Sequence, residues 1–343
     1  SGERGVFNRE ASKKQAAKYG RRDPNYEFGT NPCSEIILRP YQFCNLTEVV
    51  VRSTDTIDDL RRKVQLATIL GTIQSSYTKF PYLRKVWQRN TEEERLLGVS
   101  LTGIMDNPLM TSKNKGLEKT LEHLRETAVQ TNKEWAVRLG IPESAAITCV
   151  KPSGTVSQLV DSASGIHARH SPHYIRTVRG DNKDPLTQFM KDQGIPSEPC
   201  VMKGDTTTVF SFPVKSPRGS VVTSDMSAIQ QLDTWLIYQR HWCEHKPSVT
   251  INVRKDEWFE VGSFVYEHFD EMSGVSFLPY DEHTYQQAPY QDCTKEEYKE
   301  LLKQMPKKID WSKLSEYEQE DNTVAMQTMA CSGDVCEVVD LVY

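Results

Sequence analysis

The stretch Asn31-Pro32-Cys33-Ser34-Glu35-Ile36 carries an amide, a thiol and a carboxylate at alternate positions. In an extended chain, the side chains of residues i, i+2 and i+4 point to the same side. A proline restricts the residue before it to extended conformations, so the sequence predicts an extended segment here. Asn31, Cys33 and Glu35 are then expected to share one face.

A second cysteine, Cys44, follows eleven residues after Cys33, within the run Tyr41-Gln42-Phe43-Cys44-Asn45-Leu46. A lone cysteine in a polar loop is most simply interpreted as an incidental buried residue. An Asn-x-Cys-x-Glu set with a partner cysteine at this distance is much less expected by chance. The combination therefore favours a catalytic site.

Composition places the chain among globular proteins. Its 343 residues are 37% hydrophobic and 26% charged, and the net charge is −5. This charge gives no electrostatic basis for binding nucleic acid or an anionic membrane surface. No apolar run approaches the ~20 residues of a membrane span, and no signal-peptide pattern is present at the start. We expect no nucleic-acid or membrane partner.

The eight cysteines are scattered, and only Cys331 and Cys336 are close in sequence. This is a poor disulfide framework for a chain of this length, and no His or Cys cluster has zinc-site spacing. The sequence predicts a reducing, cytoplasmic compartment and no metal ligands. A cysteine that matters is then more plausibly catalytic than structural.

Helical and strand patterns alternate along the chain. Apolar runs predict strands at 35–38, 46–51, 145–150, 206–212, 249–253 and 275–278, and helical spacing predicts helices that begin after Thr56 or Asp58, Asp184 and Ser224. A longer helix is predicted from Leu117 to Leu139, ending at Gly140. This order predicts an α/β fold with a mainly parallel sheet or barrel. From about Lys307 the chain is charged and loses periodicity, which indicates an extension beyond the core.

The turn Lys151-Pro152-Ser153-Gly154-Thr155-Val156-Ser157 follows a predicted strand. Backbone N–H groups and hydroxyls at a helix N-terminus can bind phosphate. An ordinary glycine turn with a Ser or Thr cap is equally well supported on local grounds. The run Ser164-Gly165-Ile166-His167-Ala168-Arg169 comes shortly after the turn.

Cys331 and Cys336 lie in an irregular segment near the C-terminal end of the sequence. A mobile dithiol can carry electrons by disulfide exchange between a buried disulfide and an external reductant. Two unrelated surface cysteines are the alternative. The glycine between them and the absence of a helical pattern favour the redox function.

Together these motifs resemble the ribonucleotide reductases of the adenosylcobalamin-dependent class, most closely the monomeric ribonucleoside-triphosphate reductases. Supporting matches are Gly2-Glu3-Arg4-Gly5-Val6-Phe7-Asn8, Gly98-Val99-Ser100-Leu101-Thr102-Gly103, the Pro-Ser-Gly-Thr turn, the run from Ser164 to Arg169, and Leu278-Pro279-Tyr280. The resemblance implies a ten-stranded α/β barrel over residues 1–306, with a central finger loop at about 29–46, and a redox-active extension over 307–343.

The resemblance also implies roles for individual residues. Cys33 would carry a thiyl radical that takes a hydrogen atom from the ribose, and Glu35 would accept the proton of the neighbouring 3′-hydroxyl. Asn31 would hold the sugar hydroxyls, and Cys44 would be one of two thiols that reduce the intermediate after the 2′-hydroxyl leaves as water. Residues 153–157 would bind the substrate phosphates. Cys331 and Cys336 would then restore the reduced state, with electrons from a thioredoxin-like protein.

Adenosylcobalamin is the radical source that best fits the sequence. Metal-dependent reductases of this superfamily carry two adjacent tyrosines near the C-terminus, and no Tyr-Tyr dipeptide occurs here. A glycyl-radical motif is also absent from the sequence. In the family, the first barrel strands, the second reducing cysteine and the effector loops lie upstream of the finger loop. We therefore expect the chain to be the C-terminal part of such an enzyme and to need an N-terminal reductase fragment.

Two other classes of function remain open at this point. A thiol-disulfide redox protein on an unrelated α/β scaffold would use only Cys331 and Cys336. Another phosphate-binding α/β enzyme would use only the turn after Lys151. Neither explains Asn31, Glu35 and Cys44 together.

Overall fold

The computed structural model describes residues 4–280 and 286–318, together with the backbone of 331–332 and 335–336. By contacts, the described chain divides into two compact units. The first unit contains residues 4–169 and 218–280, and the second contains 170–217 and 286–318. These units are defined by contacts, and the domain boundary at residue 306 stays a prediction.

Strands and helices alternate through most of the described chain. In chain order, the strands are β1 (Arg4–Val6), β2 (Gly29–Thr30), β3 (Ile37–Leu38), β4 (Asn45–Val50), β5 (Leu97–Thr102), β6 (His173–Asp181), β7 (Ser197–Pro199), β8 (Thr207–Lys215), β9 (Thr250–Val253), β10 (Val275–Pro279), β11 (Tyr290–Asp292), β12 (Cys331–Ser332) and β13 (Val335–Cys336). The α-helices are α1 (Arg9–Ala17), α2 (Ile57–Gln74), α3 (Lys85–Glu94), α4 (Leu117–Leu139), α5 (Val156–Leu159), α6 (Pro185–Asp192), α7 (Ala228–His241), α8 (Trp258–Glu267), α9 (Lys295–Gln304) and α10 (Leu314–Tyr317). Short 3₁₀ turns lie at Ile104–Asp106, Pro108–Met110, Thr223–Asp225 and Trp311–Lys313.

The centre of the first unit is a series of parallel strand segments. β4 pairs with β5 in parallel, and β9 pairs with β10 in parallel. Two parallel bridges, Val99↔Thr148 and Val150↔Pro247, join these pairs through the segment 146–150. Five neighbouring segments therefore run in one direction, and β1 adds an antiparallel strand beside β10. We call these five segments, in the order β4, β5, 146–150, 245–253 (which includes β9) and β10, the parallel array. The predicted α/β fold with mainly parallel pairing is confirmed for this unit.

Helices cover the parallel array and bury it. All six residues of β5 are buried, as expected for a parallel strand that is covered on both faces. α2 packs against β4, β5 and α4, and α4 packs against α7. Their apolar residues join one core cluster, which includes Leu60, Leu121, Leu124 and Trp235. The core therefore buries the parallel array where these helices pack against it.

Local sequence signals place most of these helix ends correctly. Thr56 forms a capping box with Asp59 at the start of α2, and α4 ends at Gly140, whose φ is +65°. The prediction that Ser224 begins a helix is wrong. Ser224 lies in a 3₁₀ turn, and Ser227 caps α7 because it forms a reciprocal capping box with Gln230.

The second unit is built on an antiparallel sheet with the order β11-β6-β8-β7. β6 and β8 pair along nine residues, from His173↔Lys215 to Asp181↔Thr207. Asp184 caps α6 as predicted, and Phe189 of α6 contacts the rings of Trp311 and Tyr317. The segment after Lys307 is thus packed as far as residue 318, by aromatic contacts within this unit.

The side chains of Cys331 and Cys336 lie outside the described residues, so their predicted redox function stays a prediction. Among the described helices, none has the length and apolar character required to cross a membrane.

Candidate active site

The predicted radical cysteine lies at the tip of a β-hairpin. β2 and β3 pair in the antiparallel sense, with Gly29 opposite Leu38 and Thr30 opposite Ile37. Residues 31–36, which we call the cysteine loop, connect them. The prediction of an extended segment here is wrong, because a hairpin this short must reverse the chain within the loop. Ser34 adopts a φ of +65°, and its N–H donates to the Asn31 carbonyl at 2.9 Å.

Asn31 stabilises the loop from within. Its side-chain oxygen accepts a hydrogen bond from the Ile36 backbone N–H at 3.0 Å. The amide nitrogen of Asn31 makes no hydrogen bond to the residues that the structure describes. The side-chain oxygen of Asn31 is therefore already used, and its –NH₂ group is the part that can hold sugar hydroxyls.

The cysteine loop is attached along the fourth segment of the parallel array. Ile37 N–H donates to His245 Nδ1 at 3.3 Å, Lys246 N–H donates to the Glu35 carbonyl at 3.3 Å, and Ser248 Oγ donates to the Cys33 carbonyl at 2.6 Å. The contacts therefore run in opposite directions along the two segments: residues 37, 35 and 33 of the hairpin contact residues 245, 246 and 248 in turn. Cys33 is thus held at a defined position by backbone contacts with a buried segment.

His245 is a neutral bridge between the hairpin and β5. Its Nδ1 accepts from Ile37, and its Nε2 donates to the Leu97 carbonyl at 2.9 Å. Burial, with a smaller contribution from the Arg22 guanidinium, lowers the pKa of His245 to about 3. The imidazole therefore stays neutral near pH 7, which is the form that can accept from one residue and donate to the other.

A glycine in β5 makes room for the hairpin and for Cys44. A Cβ at Gly98 would lie 2.9 Å from Ile36 Cδ1, 3.3 Å from Cys44 Sγ and 2.5 Å from Leu46 Cδ2. Cys44 lies directly before β4. Cys44 and Ile36 of the cysteine loop thus both pack against β5 at Gly98, which has no side chain. Burial raises the pKa of the Cys44 thiol, and the Glu35 carboxylate raises it further. Cys44 is therefore a protonated thiol at neutral pH.

Glu35 is fully buried, and its two carboxylate oxygens differ in their surroundings. Oε1 lies 3.5 Å from the ammonium nitrogen of Lys151. Oε2 is buried and has no hydrogen-bond partner among the described residues. Burial alone would lower the pKa of Lys151, but the Glu35 carboxylate and the Cys33 thiol outweigh it, and the pKa is raised. Cys33, Glu35 and Lys151 thus form one cluster, of which the sequence analysis found the first two.

A second carboxyl group, Glu48 of β4, lies near this cluster. Burial raises its pKa, the Ser153 hydroxyl and the Lys151 ammonium oppose that effect, and the Glu35 carboxylate adds to it. The sequence analysis missed Glu48, although a charged residue inside the apolar run 46–51 was a usable signal.

Lys246 was also missed. Its side chain is buried, and its Nζ donates to Ser34 Oγ at 2.8 Å. A Cβ at residue 274 would overlap Nζ, so Gly274 leaves space for this ammonium. Burial lowers the pKa of Lys246 to about 7, although the Glu35 carboxylate opposes the shift. Nothing in the local sequence links Lys246 to Ser34, because 212 residues separate them.

The turn after Lys151 has less free hydrogen-bonding capacity than the sequence predicted. Ser157 is buried, its Oγ is 2.7 Å from Ser164 Oγ, and its N–H donates to the Ser153 carbonyl at 3.0 Å. Ser153 is also buried, with a φ of +58°, while Gly154 and Thr155 are more accessible. α5 is a single turn, so the N-terminus of a long helix is not available to a phosphate here.

The base of the hairpin is fixed by a buried polar network. Arg22 Nε and Nη2 donate to the two oxygens of Glu94 at 3.1 and 3.0 Å. Gln42 also donates to Glu94, and it accepts from the Arg39 backbone N–H at 2.9 Å. Loss of the Arg22–Glu94 pair would leave a buried charge unpaired, so this network favours one geometry at the base of the hairpin.

Proteins similar to this chain are reductases. No family model matches the sequence. The adenosylcobalamin-dependent ribonucleoside-triphosphate reductase of Euglena gracilis is 28% identical over 319 residues, which cover 90% of this chain and 42% of the relative. The reductase of the same name from Lactobacillus gasseri is 29% identical, covering 87% and 44%, and that of Lactobacillus leichmannii is 27% identical, covering 98% and 50%.

Two solved structures are similar in fold. A B12-dependent (class II) ribonucleotide reductase superposes with a TM-score of 0.80 and 25% identity, covering 94% of this chain and 48% of the other. The class Id alpha subunit of Actinobacillus ureae has a TM-score of 0.51 at 14% identity, covering 81% and 58%. The chain spans about half the length of the curated relatives it matches. The resemblance seen in the sequence motifs is thus confirmed: over most of its length the chain is similar to adenosylcobalamin-dependent ribonucleoside-triphosphate reductases, and its α/β fold is similar to about half of a B12-dependent ribonucleotide reductase.

Proposed function

We propose that this chain carries the radical-cysteine part of a ribonucleotide reductase, which converts ribonucleoside triphosphates to 2′-deoxyribonucleotides. One observation carries the proposal. The tip of a rigidly attached hairpin brings together a partly buried thiol, Cys33, and a fully buried carboxylate, Glu35, that keeps one oxygen without a partner among the described residues. The similarity to named reductases supports the same reaction.

Adenosylcobalamin fits as the source of the radical, because Cys33 is partly accessible at a loop tip while Glu35 beside it is fully buried. When bound, the cofactor would supply the radical that Cys33 then carries. Cys33 itself is only partly accessible to solvent. Restricted access is required because an exposed thiyl radical would be quenched by other reductants.

Each residue of the cluster would carry out one part of the reaction. The Cys33 thiyl radical takes a hydrogen atom from the ribose carbon that bears the 3′-hydroxyl, and Glu35 Oε2 accepts the proton of that hydroxyl. The Asn31 –NH₂ group holds the sugar. The 2′-hydroxyl takes up a proton from one of two thiols and leaves as water, the second thiol hydrogen goes to the 2′ carbon, and Cys33 and Glu35 then return the hydrogen atom and the proton to the 3′ position. Two thiols supply the two electrons of the reduction and become a disulfide, and Cys44, a protonated thiol, is one of them.

Substrate phosphates would bind at the turn Ser153-Gly154-Thr155-Val156-Ser157. The Ser157 hydroxyl and N–H both make hydrogen bonds inside the fold, so the proposal depends mainly on Gly154 and Val156. Cys331 and Cys336 would recharge the Cys44 disulfide with electrons from a thioredoxin-like protein, which their spacing supports. The cytoplasmic location stays a prediction from cysteine usage.

We propose further that the parallel array is one half of a ten-stranded barrel, with the β2–β3 hairpin as its finger loop. Five parallel segments are half the number of strands that such a barrel needs. At the β10 edge of the array, the antiparallel strand β1 continues the strand pairing. At the other edge, β4 has no partner beyond β5 among the described strands. An N-terminal reductase fragment that pairs with this edge would complete the barrel and supply the second reducing thiol. An unpaired edge also promotes association.

Complementation tests the function. The chain is mixed with the N-terminal portion of the Lactobacillus leichmannii relative, adenosylcobalamin, a ribonucleoside triphosphate and a dithiol. We expect 2′-deoxyribonucleotide to form only when the cofactor and both polypeptides are present. Formation of a stable complex without any deoxyribonucleotide product would contradict the proposal, whereas dithiol oxidation alone would favour a plain redox protein.

A further inference from the structure

Lys151 lies at a fixed position next to the cysteine loop. Its backbone N–H donates to Ser100 Oγ of β5 at 2.8 Å. Its carbonyl is approached so closely by Gly165, with a φ of +52°, that a Cβ there would overlap it. The backbone of Lys151 is therefore held on both sides, and only the side chain is free to adjust.

The ammonium of Lys151 interacts with two groups on the cysteine loop. It lies 3.5 Å from Glu35 Oε1, and the Cys33 thiol contributes both an electrostatic and a hydrogen-bond interaction with it. It also faces Glu48. Because Glu35 is fully buried, its charged form needs a cation nearby, since an unpaired buried carboxylate is strongly destabilised.

Lys246, whose side chain is buried, does not replace the partly exposed Lys151 in this function. Lys246 Nζ donates to Ser34 Oγ, and no carboxylate of the described residues lies within ion-pair distance of it. Its pKa of about 7 means that it is only partly charged at neutral pH. Lys151, in contrast, stays charged because its pKa is raised.

We propose that Lys151 is a positioning residue for this reaction: its ammonium holds Glu35 Oε1 and the Cys33 thiol together, which leaves Glu35 Oε2 as the only oxygen available to accept the substrate proton. The proposal rests on the proposed function of Cys33 and Glu35. It assigns to Lys151 the relative placement of the base and the thiol.

Cysteine reactivity provides a test that does not require substrate or cofactor. Alkylation of Cys33 by iodoacetamide is followed by mass spectrometry of its peptide between pH 6 and 10, with Cys293 as the internal reference. Reactive cysteines lie in electropositive, partly exposed surroundings, so removal of the neighbouring ammonium in Lys151→Met should slow Cys33 alkylation by roughly 3–10-fold near neutral pH. Lys151→Arg should retain most of the rate. The matched control is Lys63→Met, because Lys63 also forms an ion pair, with Asp55, away from the cysteine loop.

A double-mutant cycle covers the case in which Lys151→Met folds poorly. If Lys151 neutralises Glu35, the lower midpoint of thermal unfolding in Lys151→Met should be partly restored in the Lys151→Met/Glu35→Gln double variant. Unchanged or faster Cys33 alkylation in Lys151→Met, or additive losses of midpoint in the cycle, would overturn the proposal.

The complemented enzyme separates this proposal from the proposed function. Lys151→Met should lower kcat strongly and change KM little, while Lys151→Arg should stay near wild type. If the wild-type chain forms no deoxyribonucleotide although the alkylation result holds, the proposed function fails and the Lys151 contact stands. If the wild type is active and Lys151→Met retains its kcat, the positioning function of Lys151 is wrong.

Discussion

Glu35 illustrates how a single residue acquires its function from its surroundings. The carboxylate is buried against Lys151 through one oxygen, and the other oxygen is the base proposed for the 3′-hydroxyl. Glu35→Gln keeps the shape and removes the base, so we expect turnover of the complemented enzyme to fall by about 10²–10⁴-fold. Glu93→Gln is the control, because Glu93 pairs with Arg39 at the partly exposed base of the hairpin. A near-normal rate in Glu35→Gln would mean that Glu35 is structural.

His245 predicts a pH dependence of stability. Its pKa is about 3 in the folded chain, while an unfolded histidine has a pKa of about 6.5. The unfolded chain therefore binds the proton first as the pH falls. The contribution of neutral His245 to stability is complete above about pH 6.5 and is lost progressively toward pH 3, with a slope of up to about 1.4 kcal/mol per pH unit.

Urea unfolding at several pH values between 4.5 and 7.5 measures this effect. His245→Gln retains hydrogen-bonding groups but does not titrate, so its free energy of unfolding should depend less steeply on pH than that of the wild type. Equal slopes in the two proteins would show that His245 does not carry the effect.

At the scale of elements, Gly98 of β5 controls how closely the hairpin and Cys44 approach the array. Gly98→Ala places a methyl group against Leu46, Ile36 and Cys44. We expect the free energy of unfolding to decrease by about 1–3 kcal/mol, the usual cost of overpacking a core. Gly262→Ala in α8 is the control, since a Cβ there meets no atom within 4 Å and alanine favours the helix. Equal stability of Gly98→Ala and wild type would mean that the hairpin is not tightly seated.

Several elements could be predicted because their signals are local. Thr56 and Asp59 form a capping box within four residues, and Gly140 ends α4 by adopting a positive φ. The turn in the cysteine loop could not be predicted in the same way. Its positive φ is taken by Ser34, whose donor Lys246 lies 212 residues away. Tertiary contacts at that distance leave no periodic or turn signal in the sequence.

The residues of the candidate site could likewise be predicted from the sequence only where their signals are local. Cys33, Glu35 and Cys44 were found because they lie close together in the sequence with a distinctive spacing. Lys151 was quoted only as the first residue of a turn, and its contact with Glu35 spans 116 residues. The shared-face argument for Asn31 failed for a related reason. The Ile36 N–H donates a hydrogen bond to the Asn31 side-chain oxygen, which closes a turn where an extended chain was expected.

At the scale of the whole molecule, the proposed tail dithiol should matter only for repeated turnover. Replacing both Cys331 and Cys336 by serine should leave one round of product formation in pre-reduced, complemented enzyme, because Cys44 is still present for the first reduction. Cycling driven by a thioredoxin-like protein should stop, because no shuttle then reaches the new disulfide. Quench-flow and steady-state assays on one preparation measure both quantities. Unimpaired steady-state cycling would rule out the tail as the shuttle.

The central claim is that Cys33 carries the radical that begins the reaction, and electron paramagnetic resonance tests it directly. The complemented enzyme is frozen within milliseconds of mixing with adenosylcobalamin and nucleotide, with natural or β-deuterated cysteine incorporated. The account predicts a radical signal that changes shape on cysteine deuteration, persists in the Cys293→Ser control and is absent in Cys33→Ser. A signal that survives in Cys33→Ser, together with continued formation of deoxyribonucleotide, would contradict it.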